Sequence, residues 1–164
     1  MILDLEDNMC FACSPKNPIG LKLRFRREGD VVRAGFVVRP EHQGWPGCLH
    51  GGLVATLCDE AMAQWLWLRE IEAYTGELTV RFKKNVPVGT PVEVVAELAA
   101  RRGRLVLLTA AVLLPGGVVA ATASGKFLMG NSGPAALSDG ENTDGGESGG
   151  SRKGLEAPGH APEE

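Results

Sequence analysis

The first regular pattern along the chain is "GLKLRFRR", where Leu21, Leu23 and Phe25 alternate with Lys22, Arg24 and Arg26. A period of two is that of a half-buried strand. "EGD" makes a turn, and "VVRAGFVV" at 31–38 returns as a second strand. A loop rich in Pro and Gly, "RPEHQGWPGCLH", leads to an apolar run with helical spacing over roughly 51–70. Four more strand-like runs follow: "ELTVRFKK", "PVEVVAELAAR", "RLVLLTAAVLL" and "GVVAATASGKFL". "NVPVGT", the Arg102-Gly103 pair and "PGG" separate them and predict hairpin connections, hence an antiparallel sheet. There is no internal repeat and no sign of a second domain.

In the helix, Leu53, Val54, Leu57, Cys58, Ala61, Met62, Trp65, Leu66 and Leu68 cover far more than one stripe. A helix of this kind is enclosed by other structure. Thr56, Asp59, Glu60 and Gln64 fall at spacings of three and four, which predicts one narrow polar face. The pattern as a whole predicts an α+β domain, a curved antiparallel meander around one buried helix.

The helix start is the first place where chemistry is legible. If Gly51 and Gly52 open the helix, their backbone N–H groups are free, lie at the positive end of the dipole and carry no side chain. Such donors suit the oxygen of a polarised carbonyl. Asp59 is the natural base or nucleophile for the same carbonyl. Gly51 and Asp59 are eight residues apart. At a rise of ~1.5 Å per residue this is about 12 Å, too far for one carbonyl to touch both. Two helices running antiparallel across a two-fold axis would solve this, and predict a homodimer with two composite sites. Spacing alone leaves the ordinary alternatives open: a solvent-facing Asp59 and a plain Gly-Gly turn.

"HGGLVATLCDEAMAQW", with "HQGWPGCLHGG" before it and "GELTVRFKKNVPVGTPVEVVAEL" after it, resembles the hotdog-fold acyl-CoA thioesterases, most closely their PaaI-like branch. The resemblance covers about residues 10–129 and rests on HGG followed, after six residues, by Asp. It implies that Asp59 is the catalytic carboxylate, that the Gly51 N–H polarises the thioester, and that His50 shapes the helix entry and the site. It also implies a homodimer, with a dimer of dimers as the larger form. Some relatives carry Asn or Gln in the loop six positions before the histidine. That position is Gly44, so Gln43 or His42 must take over the role, or nothing does. The resemblance further suggests a hydroxyl from the facing protomer beside the carboxylate, for which Thr75 is a candidate. Gly52 and Glu60 are the remaining polar contacts expected near substrate, Glu60 as a solvated or hydrogen-bonded neighbour of Asp59 or, as the alternative, the active carboxylate itself.

Coenzyme A brings phosphates and calls for a basic rim. Arg81, Lys83 and Lys84 on one strand and Arg101, Arg102 and Arg104 around a hairpin could supply it, or could serve solubility alone. Trp65 and Trp67 read as core or interface, with an acyl-pocket lining as the second option. Cys10-Phe-Ala-Cys13 has the spacing of half a zinc site. Its second half is not legible, although His42 and Cys48 could be brought close, so neither metal nor cofactor is expected. There is no Gly-x-Ser-x-Gly and no phosphate-cradling Gly loop.

Composition narrows the picture. The net charge is -3 over 164 residues, which argues against a nucleic-acid partner. Residues 131–164 hold seven acidic and two basic residues and no aromatic one, so the domain is expected to span 1–130 and the rest to be a disordered tail. Four cysteines are too few for a disulfide scaffold, and the first residues carry acids where a signal peptide needs bases. No apolar run reaches membrane-spanning length. A cytoplasmic protein with reduced thiols is expected. Its expected activity is hydrolysis of an acyl-CoA thioester. The alternatives are a non-catalytic acyl-CoA-binding module and a hotdog dehydratase or hydratase.

Overall fold

A computed structural model describes residues 8–130. Strands β1 (Arg26–Glu28) and β2 (Val31–Val37) come first, then a 3-10 turn at Pro40–His42 and helix α1 (Gly51–Trp67). Strands β3 (Ala73–Phe82), β4 (Pro91–Arg102), β5 (Leu105–Leu114) and β6 (Val118–Met129) complete the fold. All six strands form one sheet in the order β1-β2-β4-β5-β6-β3, and every pairing is antiparallel. Gly103, with φ of +56°, turns β4 into β5 in a conformation that suits glycine. The acidic tail expected from residue 131 lies outside the described residues.

Alternation decides which face meets the helix. Ala34, Val94, Val112 and Ala121 share one register row across β2, β4, β5 and β6, and all are buried. From α1, Val54, Leu57, Cys58, Ala61, Met62, Trp65 and Leu66 enter the same core. The Trp65 indole donates to the Asp30 carbonyl at 2.6 Å and lies under the Arg69 guanidinium, which ties the helix end to the β1–β2 turn. Among the described residues no helix is long and apolar enough to cross a membrane.

Three local expectations change. The run at 20–27 is not a full strand: Lys22 has a φ of +56°, and only Arg26 and Arg27 fall in β1. Leu21 and Leu23 give their backbone N–H groups to the Phe11 and Ala12 carbonyls, so the N-terminal segment takes the place of a sheet neighbour. "NVPVGT" is not a hairpin, because β3 crosses to the far edge and pairs with β6, leaving β4 beside β2. The strands β4, β5 and β6 alone form a meander. Finally, α1 is not enclosed all round: Gly51 and Gly52 are exposed, and Ala55, Thr56, Asp59, Glu60 and Ala63 are half-buried.

Candidate active site

The entry to α1 is built by two histidines. His42 is buried, with its ring centroid 4.9 Å from that of Phe36. Its Nδ1 accepts the Arg39 N–H at 3.0 Å, and its carbonyl accepts the His50 N–H at 2.9 Å. Burial, assisted by the nearby Arg39 charge, holds the His42 imidazole below its usual pKa, so it stays neutral. His50 is the N-cap: its backbone is extended and its Nδ1 accepts the Gly52 N–H at 2.9 Å. Gly52 is therefore not the free donor expected of it. Among the described residues, the Gly51 N–H has no acceptor and remains open. A Cβ at Gly51 would lie 3.5 Å from the Phe82 ring, so an exposed aromatic from the end of β3 floors this position.

The loop before the helix explains the departure at position 44. A Cβ on Gly44 would fall 2.9 Å from the His50 Cδ2, within repulsive range. The histidine edge already fills the space where a longer side chain would start. Of the two substitutes, the His42 ring is held in the core, and the Gln43 amide closes its own loop. Its Nε2 donates to the Pro40 carbonyl at 2.9 Å and its Oε1 accepts the Gly47 N–H.

Asp59 is half-buried at the middle of α1, and the Thr75 hydroxyl donates to its Oδ1 at 3.0 Å. Desolvation raises the Asp59 pKa above the ordinary carboxylate value. The Thr75 hydrogen bond pulls it down in part, and the neighbouring Glu60 pushes it up again. This hydroxyl comes from β3 of the same chain, whereas the resemblance suggested one from a facing protomer. Beneath Asp59 the Cys58 thiol is buried and pushed up to about 12 by desolvation, so it is no nucleophile.

Glu60 does not join Asp59. Successive helical residues point about 100° apart, given 3.6 residues per turn. Glu60 therefore faces the N-terminal segment, where it accepts from the Gln64 amide at 2.9 Å and from the Cys10 thiol at 3.6 Å. The single polar face expected from the spacing is split in two. The basic residues are also divided within one chain. Lys83 and Lys84 follow β3, both giving backbone N–H groups to the Ala120 carbonyl, while Arg102 stands in the row of Leu105, Leu128 and Tyr74 at the opposite end of the sheet.

A model of the thioesterase superfamily matches residues 46–121, the span from the α1 entry loop into β6. The fold is the hotdog fold of that superfamily. Among solved structures, a thioesterase superfamily protein superimposes with a TM-score of 0.70 at 22% identity over 73% of this chain, which spans 60% of that protein's length. The PaaI protein from the phenylacetic acid degradation operon of E. coli gives 0.62 at 16% identity, covering 66% of this chain and 83% of its own. A hypothetical thioesterase of Streptococcus pneumoniae TIGR4, solved with coenzyme A, gives 0.62 at 15% over 66% of this chain and 85% of its own. The hypothetical thioesterase of that organism is also similar as two single alanine variants, one at an aspartate and one at a threonine sixteen positions further on. These variants are 13% and 14% identical to this chain, each with a TM-score of 0.63, covering 68% of it and 92% and 91% of their own lengths. Comparison with curated proteins gives no match.

Proposed function

We propose that the protein is an acyl-CoA thioesterase in which Asp59 drives hydrolysis and the Gly51 N–H polarises the thioester carbonyl. The observation that carries this reading is the Asp59–Thr75 pair, a half-buried carboxylate held by one hydroxyl on the open face of α1. The pair is sixteen positions apart, the spacing of the two residues replaced in the streptococcal protein. With Oδ1 held by Thr75, Oδ2 is available to take a proton from water as that water attacks the carbonyl carbon. The negative charge passes to the carbonyl oxygen, where the Gly51 N–H and the helix dipole meet it. Collapse expels the CoA thiolate, which takes up a proton, and the acid is released. In the alternative route Oδ2 attacks directly and water cleaves the resulting anhydride.

The site needs two subunits, for the distance reason given above, and the sheet edges support a way to join them. The β1 edge is only three residues long and charged, "RRE", as a protected edge should be. The β3 edge is ten residues long, with Tyr74 and Phe82 exposed. Antiparallel pairing of two β3 edges about the strand midpoint sets the Thr75–Asp59 end of one subunit beside the Phe82–Gly51 end of the other. It also brings Lys83 and Lys84 of one subunit to the same end of the joined sheet as Arg102 of the other. The dehydratase reading has less support: an Nδ1 that accepts from Gly52 leaves the ring proton on Nε2, which is then a donor rather than a base.

Mixing two inactive variants tests the composite site. One carries Asp59→Asn, the other Gly51→Val with its own Asp59 intact. Each homodimer is expected to be nearly inactive in an assay of thiol release across short, long and aromatic acyl-CoAs. Random pairing after co-refolding makes about half the dimers mixed, each with one working site, so about a quarter of wild-type activity returns. No recovery, with both variants folded and mixed dimers verified by mass, overturns the composite arrangement.

A further inference from the structure

On the flank of α1 away from Thr75, the fold gathers two thiols and a carboxylate. Cys10 and Cys13 leave a tight turn closed by the Ser14 N–H on the Cys10 carbonyl at 3.1 Å. Above them Glu60 projects from α1, and the three ligand atoms all lie within 4.8 Å of one another, half-buried. Sequence spacing supplies only half of a zinc site here. The helix adds a third ligand from fifty positions away.

We propose that Cys10, Cys13 and Glu60 bind a zinc ion that staples the N-terminal segment to helix α1. The spacing suits the ion. Tetrahedral zinc with Zn–S of about 2.3 Å and Zn–O of about 2.0 Å separates sulfur from oxygen by about 3.5 Å and the two sulfurs by about 3.8 Å. Cys10 Sγ and Glu60 Oε2 already stand 3.6 Å apart. The donor set also selects: thiolates exclude magnesium and calcium, and two thiolates with a carboxylate suit zinc or its substitute cobalt.

The surroundings are those of a ligand set rather than of a surface cluster. The Gln64 Nε2 donates both to Glu60 Oε1 at 2.9 Å and to Cys13 Sγ at 3.6 Å, holding the two ligands toward each other. Two thiols and a carboxylate thus stand together, half-buried. On binding zinc, both thiols lose a proton to solvent, two Zn–S bonds and one Zn–O bond form, and the fourth position takes water. The ion closes a loop that already rests on the Leu21 and Leu23 backbone hydrogen bonds to Phe11 and Ala12.

The test uses the full chain, reduced with a non-thiol reductant, stripped by chelator and titrated with Co²⁺ in the absence of oxygen. The expected result is one equivalent bound, with thiolate-to-cobalt charge-transfer absorption that Zn²⁺ abolishes. Cys10→Ser and Cys13→Ser each remove that absorption. Glu60→Gln weakens binding by at least the ~10-fold that loss of an orienting partner costs. A second measurement needs no variant. Zn²⁺ should slow alkylation of Cys10 and Cys13, read by mass spectrometry, by ~10-fold or more while leaving Cys48 unchanged, and it should raise the Tm. Absence of charge-transfer absorption, or its survival in the double Cys10→Ser, Cys13→Ser variant, overturns the proposal. So does equal alkylation with and without Zn²⁺.

Discussion

Asp59 and Glu60 are consecutive residues on one helix, yet they live in different chemistry. Asp59 looks toward β3 and, among the described residues, has a single hydrogen-bond donor, the Thr75 hydroxyl, on a half-buried face. Glu60 looks toward the N-terminal segment, where a Gln64 amide and a Cys10 thiol both donate to it. Desolvation with one compensating donor leaves Asp59 a stronger base than a free carboxylate. A carboxylate that holds two donors beside two thiols is instead a ligand or an anchor. A step of about 100° around the helix is enough to separate the two roles.

The sharpest way to break this comparison is to neutralise each carboxylate in turn. Asp59→Asn is expected to lower kcat/KM by ~10²-fold or more on the best acyl-CoA while the melting temperature holds, because the amide can neither take a proton nor attack. Glu60→Gln should change kcat/KM by less than about tenfold, the effect of one hydrogen bond. If Glu60→Gln is the more damaging of the two, the assignment of roles must be reversed.

Thr75 is the next test, since among the described residues it alone holds the Asp59 oxygen. A hydrogen bond to a charged group is worth about 1.5 kcal/mol at the lower end, so Thr75→Ala should reduce turnover about tenfold. Thr75→Ser keeps the hydroxyl and should recover most of it. Equal rates for all three proteins would show that Asp59 acts without this partner.

Smaller effects come from the helix entry, which both flanks share. Gly44→Ala drives a methyl into the His50 ring and should cost about 1 kcal/mol in denaturant unfolding, the typical value of an N-cap. The cap should fail before the core does, so turnover falls further than stability. Unchanged stability would mean that the ring has room to move.

The smallest effect is the pH response of His42. Its pKa in the folded protein is held below the ordinary 6.5, so the unfolded chain takes up a proton first. Stability is therefore complete above pH ~6.5 and falls as the pH drops toward the lowered value. The Tm of wild type should decline through this window more steeply than that of His42→Gln, which cannot titrate. Parallel curves would remove His42 as the cause.

Period-two alternation fixed on local residues predicts β2, β4, β5 and β6 nearly to their ends, and the change to helical spacing at Gly51 marks the start of α1. Gly51, Asp59 and His50 were legible because a helix start and a helical rise are properties of neighbouring residues. Strand order is not such a property. Nothing local in "NVPVGT" distinguishes a hairpin from a crossover, and β3 went to the far edge, where its pairing with β6 carries Thr75 to Asp59 and Phe82 to Gly51. The same holds for "CFAC", whose third potential ligand is fifty positions away in sequence. Chain-local geometry decides which residues share an element, and so the sequence by itself determined most of the elements and the helix-borne half of the candidate site. Only packing between distant segments decided which flank of the helix met a hydroxyl and which met two thiols.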